Sequence, residues 1–240
     1  GGVRQVFSNG LACAALKWDG SVVTWGDAQC GGDSSSMHQE LLGDVEHIVS
    51  NSGSFAAIKR RGSVVVWGDP RCGGDSSSVA EQLKGGVLEI CTNTWALAAL
   101  KKDGTVVTWG YGRWGGDSSA VRHLLKDVKE VSSNGFGFAA VKQDGSVVTW
   151  GDNRGGGNSS KVRERISRGV MRVVPNRHAF AALKQDGSVI VWGDPRNGGD
   201  ASTSAQELQS GVEEIFANTW SFAALKQDGS VVSWGESESG

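Results

Sequence analysis

The chain has 240 residues, with 24 Lys and Arg against 26 Asp and Glu, for a formal net charge of −2. That balance excludes a nucleic-acid or membrane-surface partner held mainly by bulk charge, and no apolar run reaches the ~18 residues that mark a helix crossing a bilayer. The four cysteines, Cys13, Cys30, Cys72 and Cys91, form no C-x-x-C pair, so the expectation is no metal, no disulfide framework and a soluble protein of a reducing compartment.

The chain begins at Gly1 without a basic-then-apolar leader, which reads as a processed or trimmed start. A Trp-Gly pair then recurs at Trp25, Trp67, Trp109, Trp150, Trp192 and Trp234, at spacings of 42, 42, 41, 42 and 42. An asparagine keeps the same rhythm at Asn9, Asn51, Asn93, Asn134, Asn176 and Asn218, and a lysine at Lys17, Lys59, Lys101, Lys142, Lys184 and Lys226. Self-similarity at this period marks a repeat architecture. The repeats run approximately over 1–42, 43–84, 85–125, 126–167, 168–209 and 210–240 within a single expected domain.

Within each repeat the elements follow in a fixed order. A stretch such as GVEEIFAN alternates apolar and polar residues, the period-two pattern of a half-buried strand. SFAALK gives a second strand. Asp-Gly, as at Asp228 and Gly229, predicts a type I′ hairpin turn with positive φ at both residues. Arg61 replaces the Asp in the second copy, and Gly62 is retained to keep that turn. SVVSW returns as a third strand, β-branched and aromatic.

The connector WGDPRCGGDSSSVAEQL combines paired glycines with an Asp-Ser-Ser cluster suited to capping. It predicts a loop followed by a helical turn or a short fourth strand, with Ser78 and Glu81 at capping-box spacing. Six strand sets are present but only five such connectors, so either residues 235–240 meet Gly1 and close a ring or the chain belongs to a longer array.

Three or four short strands at this period predict an all-β fold, a six-bladed β-propeller in which each blade covers its neighbour. The paired alanines Ala56 and Ala57, Ala139 and Ala140, Ala181 and Ala182 are expected to let inner strands approach closely. The six Trp-Gly tryptophans are expected to fill the core between blades, because a side chain of ~150–250 Å² is ample reason for such recurrence.

The signature A-A-L-K-x-D-G-S-V-V-T-W-G resembles the Regulator of Chromosome Condensation repeat in a short-repeat variant, and the likeness covers all six units. The resemblance implies a propeller scaffold that serves several functions, so function must be argued from the site. The founding member's projecting wedge and basic tails, which go with nucleotide exchange on a small GTPase and with chromatin, are not visible in these 240 residues. Plant UV-B photoreceptors of this type carry G-W-R-H-T before the second strand, where this chain reads SNGLACAAL, SNSGSFAAI and TNTWALAAL.

Candidate site residues are those that vary inside the repeated frame. Two residues after each Asn stand Leu11, Gly53, Trp95, Phe136, His178 and Trp220. The aromatic members of this slot are candidate anchors for a protein partner, since large rings with few rotors make good binding contacts. The competing reading is that these rings lid the core. A second strip after Trp-Gly holds Arg71, Arg113, Arg154 and Arg196, with Trp114 beside Arg113. These arginines suit a carboxylate or phosphate group, or they pair locally with aspartates such as Asp69 and Asp194.

The histidines His38, His47, His123 and His178 occupy unrelated repeat positions, and no nucleophile, base and orienting acid recur together. The paired glycines lack the Lys-Ser or Lys-Thr of a phosphate-binding loop. The expectation is therefore no enzyme and no cofactor, but a protein-interaction scaffold or subunit of a larger assembly. A carbohydrate-binding lectin is the alternative, and light sensing or nucleotide exchange is weaker.

Overall fold

A computed structural model describes residues 1–236. It contains six three-stranded antiparallel sheets, each built from three consecutive strands. They are β1 (Val3–Ser8), β2 (Ala12–Lys17) and β3 (Val22–Gly26); β4 (Val45–Ser50), β5 (Ser54–Lys59) and β6 (Val64–Gly68); and β7 (Val87–Thr92), β8 (Ala96–Lys101) and β9 (Val106–Gly110). Then follow β10 (Val128–Ser133), β11 (Gly137–Lys142) and β12 (Val147–Gly151); β13 (Val170–Pro175), β14 (Ala179–Lys184) and β15 (Val189–Gly193); and β16 (Val212–Ala217), β17 (Ser221–Lys226) and β18 (Val231–Gly235).

The fold is all-β, a six-bladed β-propeller type with short helical turns between blades. Two compact units divide it, Gly1–Asp117 with the first three blades and Ser118–Gly240 with the last three. The expected closure through residues 235–240 falls largely outside the described residues. Among the described residues no helix is long and apolar enough to cross a membrane.

The pleat explains the alanines. In β5 the Phe55 and Ala57 side chains join a cluster with Ala12, Ala14 and Leu16 of the preceding blade. Ala56 and Ile58 face the other way and join Leu97, Ala99 and Trp109 of the following blade. The same alternation recurs in the second unit, where Ala182 packs with Ala139 and Val141 while Ala181 packs with Phe222 and Ala224. The alanines thus lie on the central strand of each sheet rather than on an inner one, and they stay small because both faces are covered.

The tryptophans complete these interblade layers. Phe55 stands directly across from Trp67 in the β5–β6 pair and stacks on it at 5.4 Å. Phe138–Trp150, Phe180–Trp192 and Phe222–Trp234 repeat the arrangement at 5.2, 5.4 and 5.4 Å. Four indole N–H groups then cross to the preceding connector: Trp67 donates to the Gly31 carbonyl, Trp109 to Gly73, Trp192 to Gly156 and Trp234 to Gly198, at 3.0–3.2 Å. Five of the six tryptophans are 2–5% exposed.

Trp25 departs from the expectation that all six fill the core, because it is 48% exposed. Its cross-strand partner is Cys13, which replaces the phenylalanine found in four other copies. Among the described residues no connector precedes it.

Three local expectations are corrected. The hairpin turn is not type I′: Gly20 donates to the Lys17 carbonyl and takes positive φ alone, and no Asp of these turns has positive φ. This is the type I turn with a left-handed glycine that closes three-residue loops. Asp19 instead accepts from the Ser21 N–H and hydroxyl at 2.9 and 2.6 Å. In the Arg61 copy the glycine bond persists, with Gly62 donating to Lys59.

The connectors form 3-10 turns, except for a wider π-type turn at Ala28–Gly32, and among the described residues no sheet has a fourth strand. Asp69, Asp152 and Asp194, just after Trp-Gly, cap the first turns by accepting from the N–H groups of Arg71, Arg154 and Arg196, while Asp75 and Asp200 accept from the Ser77 and Ser202 N–H groups at 2.8 and 2.9 Å ahead of the second turns. The Ser78–Glu81 capping box does not form, because Ser78 lies inside the Ser77–Leu83 turn and Glu81 pairs with Lys84 at 2.6 Å.

Three of the repeated lysines tie their blade to the connector before it. Lys59, Lys101 and Lys226 donate through Nζ to the carbonyls of Glu40, Gln82 and Glu207.

The turn aspartates also set an acid limit. The hydroxyl that follows by two residues, with the backbone N–H second, holds Asp19, Asp103, Asp144, Asp186 and Asp228 below the ordinary carboxylate value. A depressed folded pKa contributes stability that is present above the unfolded value near ~4 and is lost as pH falls through the folded one. The urea midpoint is therefore expected to drop below about pH 4. The drop should be smaller when Asp103 and Asp186 are replaced by Asn, which accepts the same bonds without titrating. Equal acid sensitivity in the two proteins would refute this source.

Candidate functional site

The repeated asparagine builds the platform from which the variable slot projects. Asn93 Oδ1 accepts from the N–H groups of Trp95 and Ala96 at 3.0 and 2.8 Å, while its amide donates to the Trp114 carbonyl at 2.6 Å. Asn176 does the same for His178, Ala179 and the Asn197 carbonyl. These two asparagines, like Asn9, Asn51 and Asn134, also pin the connector 21 residues on. An Asx turn of this kind is what the residue does well in loops.

On that platform the first unit gathers three rings. Trp95 meets Trp114 edge-on at 5.6 Å and Tyr111 at 6.1 Å, and Tyr111 meets Trp114 at 6.3 Å. Trp95 is half-buried and Tyr111 exposed, so the cluster presents ring faces and edges to solvent. In the second unit His178 lies between Phe136 at 5.0 Å and Trp220 at 5.1 Å, nearly parallel to Trp220. The Arg177 guanidinium covers the outer part of this stack, 5.9 Å from the Trp220 ring. Such a cation over a ring contributes on the order of 0.5–1 kcal/mol at an exposed site.

Burial pushes the His178 imidazole below its ordinary pKa, and the nearby Arg177 charge adds to this, while Asp194 opposes it. Its Nε2 is buried without a hydrogen-bond partner. His178 therefore behaves at neutral pH as a flat, uncharged member of the stack.

In two repeats the slot residue and the connector residue fill one space between them. A Cβ added at Gly53 would lie 2.9 Å from Cys72 Sγ, and one added at Gly155 would lie 2.5 Å from Phe136 Cβ. Where the slot holds Gly53 the connector carries a cysteine, and where it holds Phe136 the connector shrinks to glycine. Trp95 and Trp114 instead lean together, outward.

The arginine strip does not make a uniform band of charge. Arg71 forks onto Asp69 at 2.8 Å, and Arg154 lies 3.1 Å from Asp152. The Arg71 hydrogen bond holds the Asp69 carboxyl below its ordinary value. The Asp194 carboxylate instead accepts from the Asn197 amide and the Arg196 N–H. Arg113 lies in the connector turn beside Trp114, where Tyr111 replaces the usual aspartate.

Tyr111 and Arg177 belong to the two clusters and were not singled out from the sequence. The signal for Tyr111 is its replacement of Asp after Trp-Gly, and for Arg177 its large size at a position otherwise held by Gly, Ser or Thr. Among the described residues no group of three or more His, Cys, Asp or Glu side chains is placed to hold a metal ion.

No family model matches the sequence, and no curated protein is similar to it by sequence search. Solved structures are similar in fold. Yeast RCC1 (Prp20), in its structure bound to Kap60, is 18% identical with a TM-score of 0.56, over 97% of this chain and 70% of that one. Human WBSCR16 is 16% identical with a TM-score of 0.53, over 94% and 72%. The ectodomain of the Arabidopsis thaliana receptor kinase ACR4 is 14% identical with a TM-score of 0.51, over 97% and 79%. At these identities the likeness is one of fold.

Proposed function

We propose that this chain, an RCC1-like repeat propeller by fold, is a non-enzymatic scaffold that binds protein partners through its two aromatic clusters. The observation that carries the reading is their position. Trp95, Tyr111 and Trp114, and Phe136, His178 and Trp220, stand at variable points of an otherwise repeated frame, and their rings are partly open to solvent. Rigid aromatic surface of this kind buries area at low entropic cost and favours a protein partner.

The similar yeast protein is found in complex with Kap60, and this supports the propeller as a partner-binding frame. Arg196, whose guanidinium makes no ion pair among the described residues, and the stacked Arg177 suit acidic groups at the edge of such a contact. A lectin with one site per blade should repeat its sugar-stacking ring, and the slot running Leu11, Gly53, Trp95, Phe136, His178, Trp220 does not.

The test replaces Trp95 and Trp220 together by Ala. Affinity capture from native lysate is expected to lose its partner, while far-UV circular dichroism and the thermal midpoint stay close to those of the parent. Unchanged capture by a folded double variant would remove both clusters as the binding surface. Selective glycan-array binding would favour the lectin.

A further inference from the structure

The hairpin turns that join the second and third strands share one device, and one blade departs from it. In five copies, from Asp19 with Ser21 to Asp228 with Ser230, the turn aspartate accepts from the N–H and the hydroxyl of the residue two places on. The N–H bonds are 2.9–3.0 Å and every hydroxyl bond is 2.6 Å. The two donors converge on one oxygen. They hold all five carboxyls below the ordinary carboxylate value, because donors aimed at a carboxylate favour its charged form.

The second blade keeps the donors and replaces the acceptor. Ser63 stands at the position of Ser21, while Arg61 stands at that of Asp19. The backbone of the turn is preserved, with Lys59 donating to the Ser63 carbonyl at 2.8 Å and Gly62 to the Lys59 carbonyl at 2.6 Å. Among the described residues the Ser63 N–H and hydroxyl donate to no protein oxygen.

Ser63 is half-buried and lines an open recess of about 470 Å³ together with Asp44, Lys59, Arg60 and Arg61. Lys59 Nζ donates to the Glu40 carbonyl at 2.7 Å, and Arg60 reaches the exposed Glu46 only at 3.7 Å. Arg61 is exposed. Three cations against one carboxylate make the lining positive, and they suit a dianion better than a singly charged ligand.

We propose that this recess binds a phosphate monoester, one oxygen of which takes the place that the aspartate oxygen fills in the other five blades. The Ser63 N–H and hydroxyl donate to that oxygen. The Arg60 and Arg61 guanidiniums serve the remaining oxygens, which their planar fork of donors matches. The turn lies at the opposite end of β5 from the slot residue Gly53, so the result does not depend on the Trp95 and Trp220 variant.

Arg61→Asp tests the site without threatening the fold, because it installs the residue that five blades already carry. Amide shifts of the isotope-labelled protein are followed while inorganic phosphate, a capped phosphoserine or acetate is added at low ionic strength, where exposed charges are least screened. In the parent the Ser63 N–H is expected to shift with both phosphate probes, at least about tenfold more tightly than with acetate. The Ser188 N–H, already bonded to Asp186, is expected to stay still. The tighter of the two phosphate probes tells whether the group arrives free or on a side chain.

Arg61→Asp is expected to abolish the Ser63 response, and Ser63→Ala, with an unchanged circular dichroism spectrum, to weaken phosphate binding roughly tenfold. A parent in which the Ser63 N–H responds to neither phosphate probe overturns the proposal, as does an Arg61→Asp protein that binds phosphate as tightly as the parent. Acetate binding as tight as phosphate binding overturns the assignment of the ligand.

Discussion

Trp192→Ala is expected to cost about 3–5 kcal/mol of stability, the range for deleting a fully buried large aromatic. The change removes the stack on Phe180, the indole bond to the Gly156 carbonyl and the filling of a layer shared with Ala139, Val141 and Ile166. Trp25→Ala provides the internal comparison, because it alters the same repeat position in a side chain that is half exposed and faces Cys13. Its expected cost is about 1 kcal/mol. Urea unfolding of both variants, followed by circular dichroism, checks the difference. Equal losses would mean that the tryptophan acts within its own hairpin, not through the blade in front of it.

The second large effect is expected at the paired glycines. A Cβ at Gly74 would lie 2.3 Å from the Gly68 carbonyl oxygen, a backbone atom that cannot rotate away. Gly74→Ala must therefore push the connector off the Trp-Gly corner, and about 3 kcal/mol is expected, the upper part of the range for overpacking. Gly85→Ala is the control, since its Cβ would meet only the Arg61 carbonyl at 3.6 Å. There the gain in unfolded-state order stabilises by up to about 1 kcal/mol. A shift of the urea midpoint in opposite directions for the two variants is the expected outcome, and a neutral Gly74→Ala would show that the connector is looser than its contacts imply.

Much of the architecture is legible in the chain because six copies solve one packing problem. The period-two strands, the glycine of the turn and the Trp-Gly corner recur at fixed spacing, and the structure places them as three-stranded sheets. The exact turn class was not legible, because Asp-Gly serves both a type I′ turn and a type I turn with a left-handed glycine. The side chain of Asp19 decides it by accepting from Ser21, which holds the aspartate out of the left-handed region.

The candidate surface was less legible. Trp95, Phe136, His178 and Trp220 share a slot, but their ring partners Tyr111 and Arg177 come from different repeat positions, which only folding brings together. Nor can a repeat motif distinguish a covered face from an open one. Trp25 carries the same local signature as Trp67, and its exposure depends on the neighbour in front of it rather than on its own sequence.

The size match between slot and connector has a consequence for how such a surface changes over generations. Gly53 with Cys72, or Phe136 with Gly155, behaves as a two-residue cassette seated on an asparagine whose bonds to the cassette are to its backbone and are indifferent to its side chains. Recognition can therefore be rewritten two letters at a time, repeat by repeat, while the sheets underneath keep their grammar.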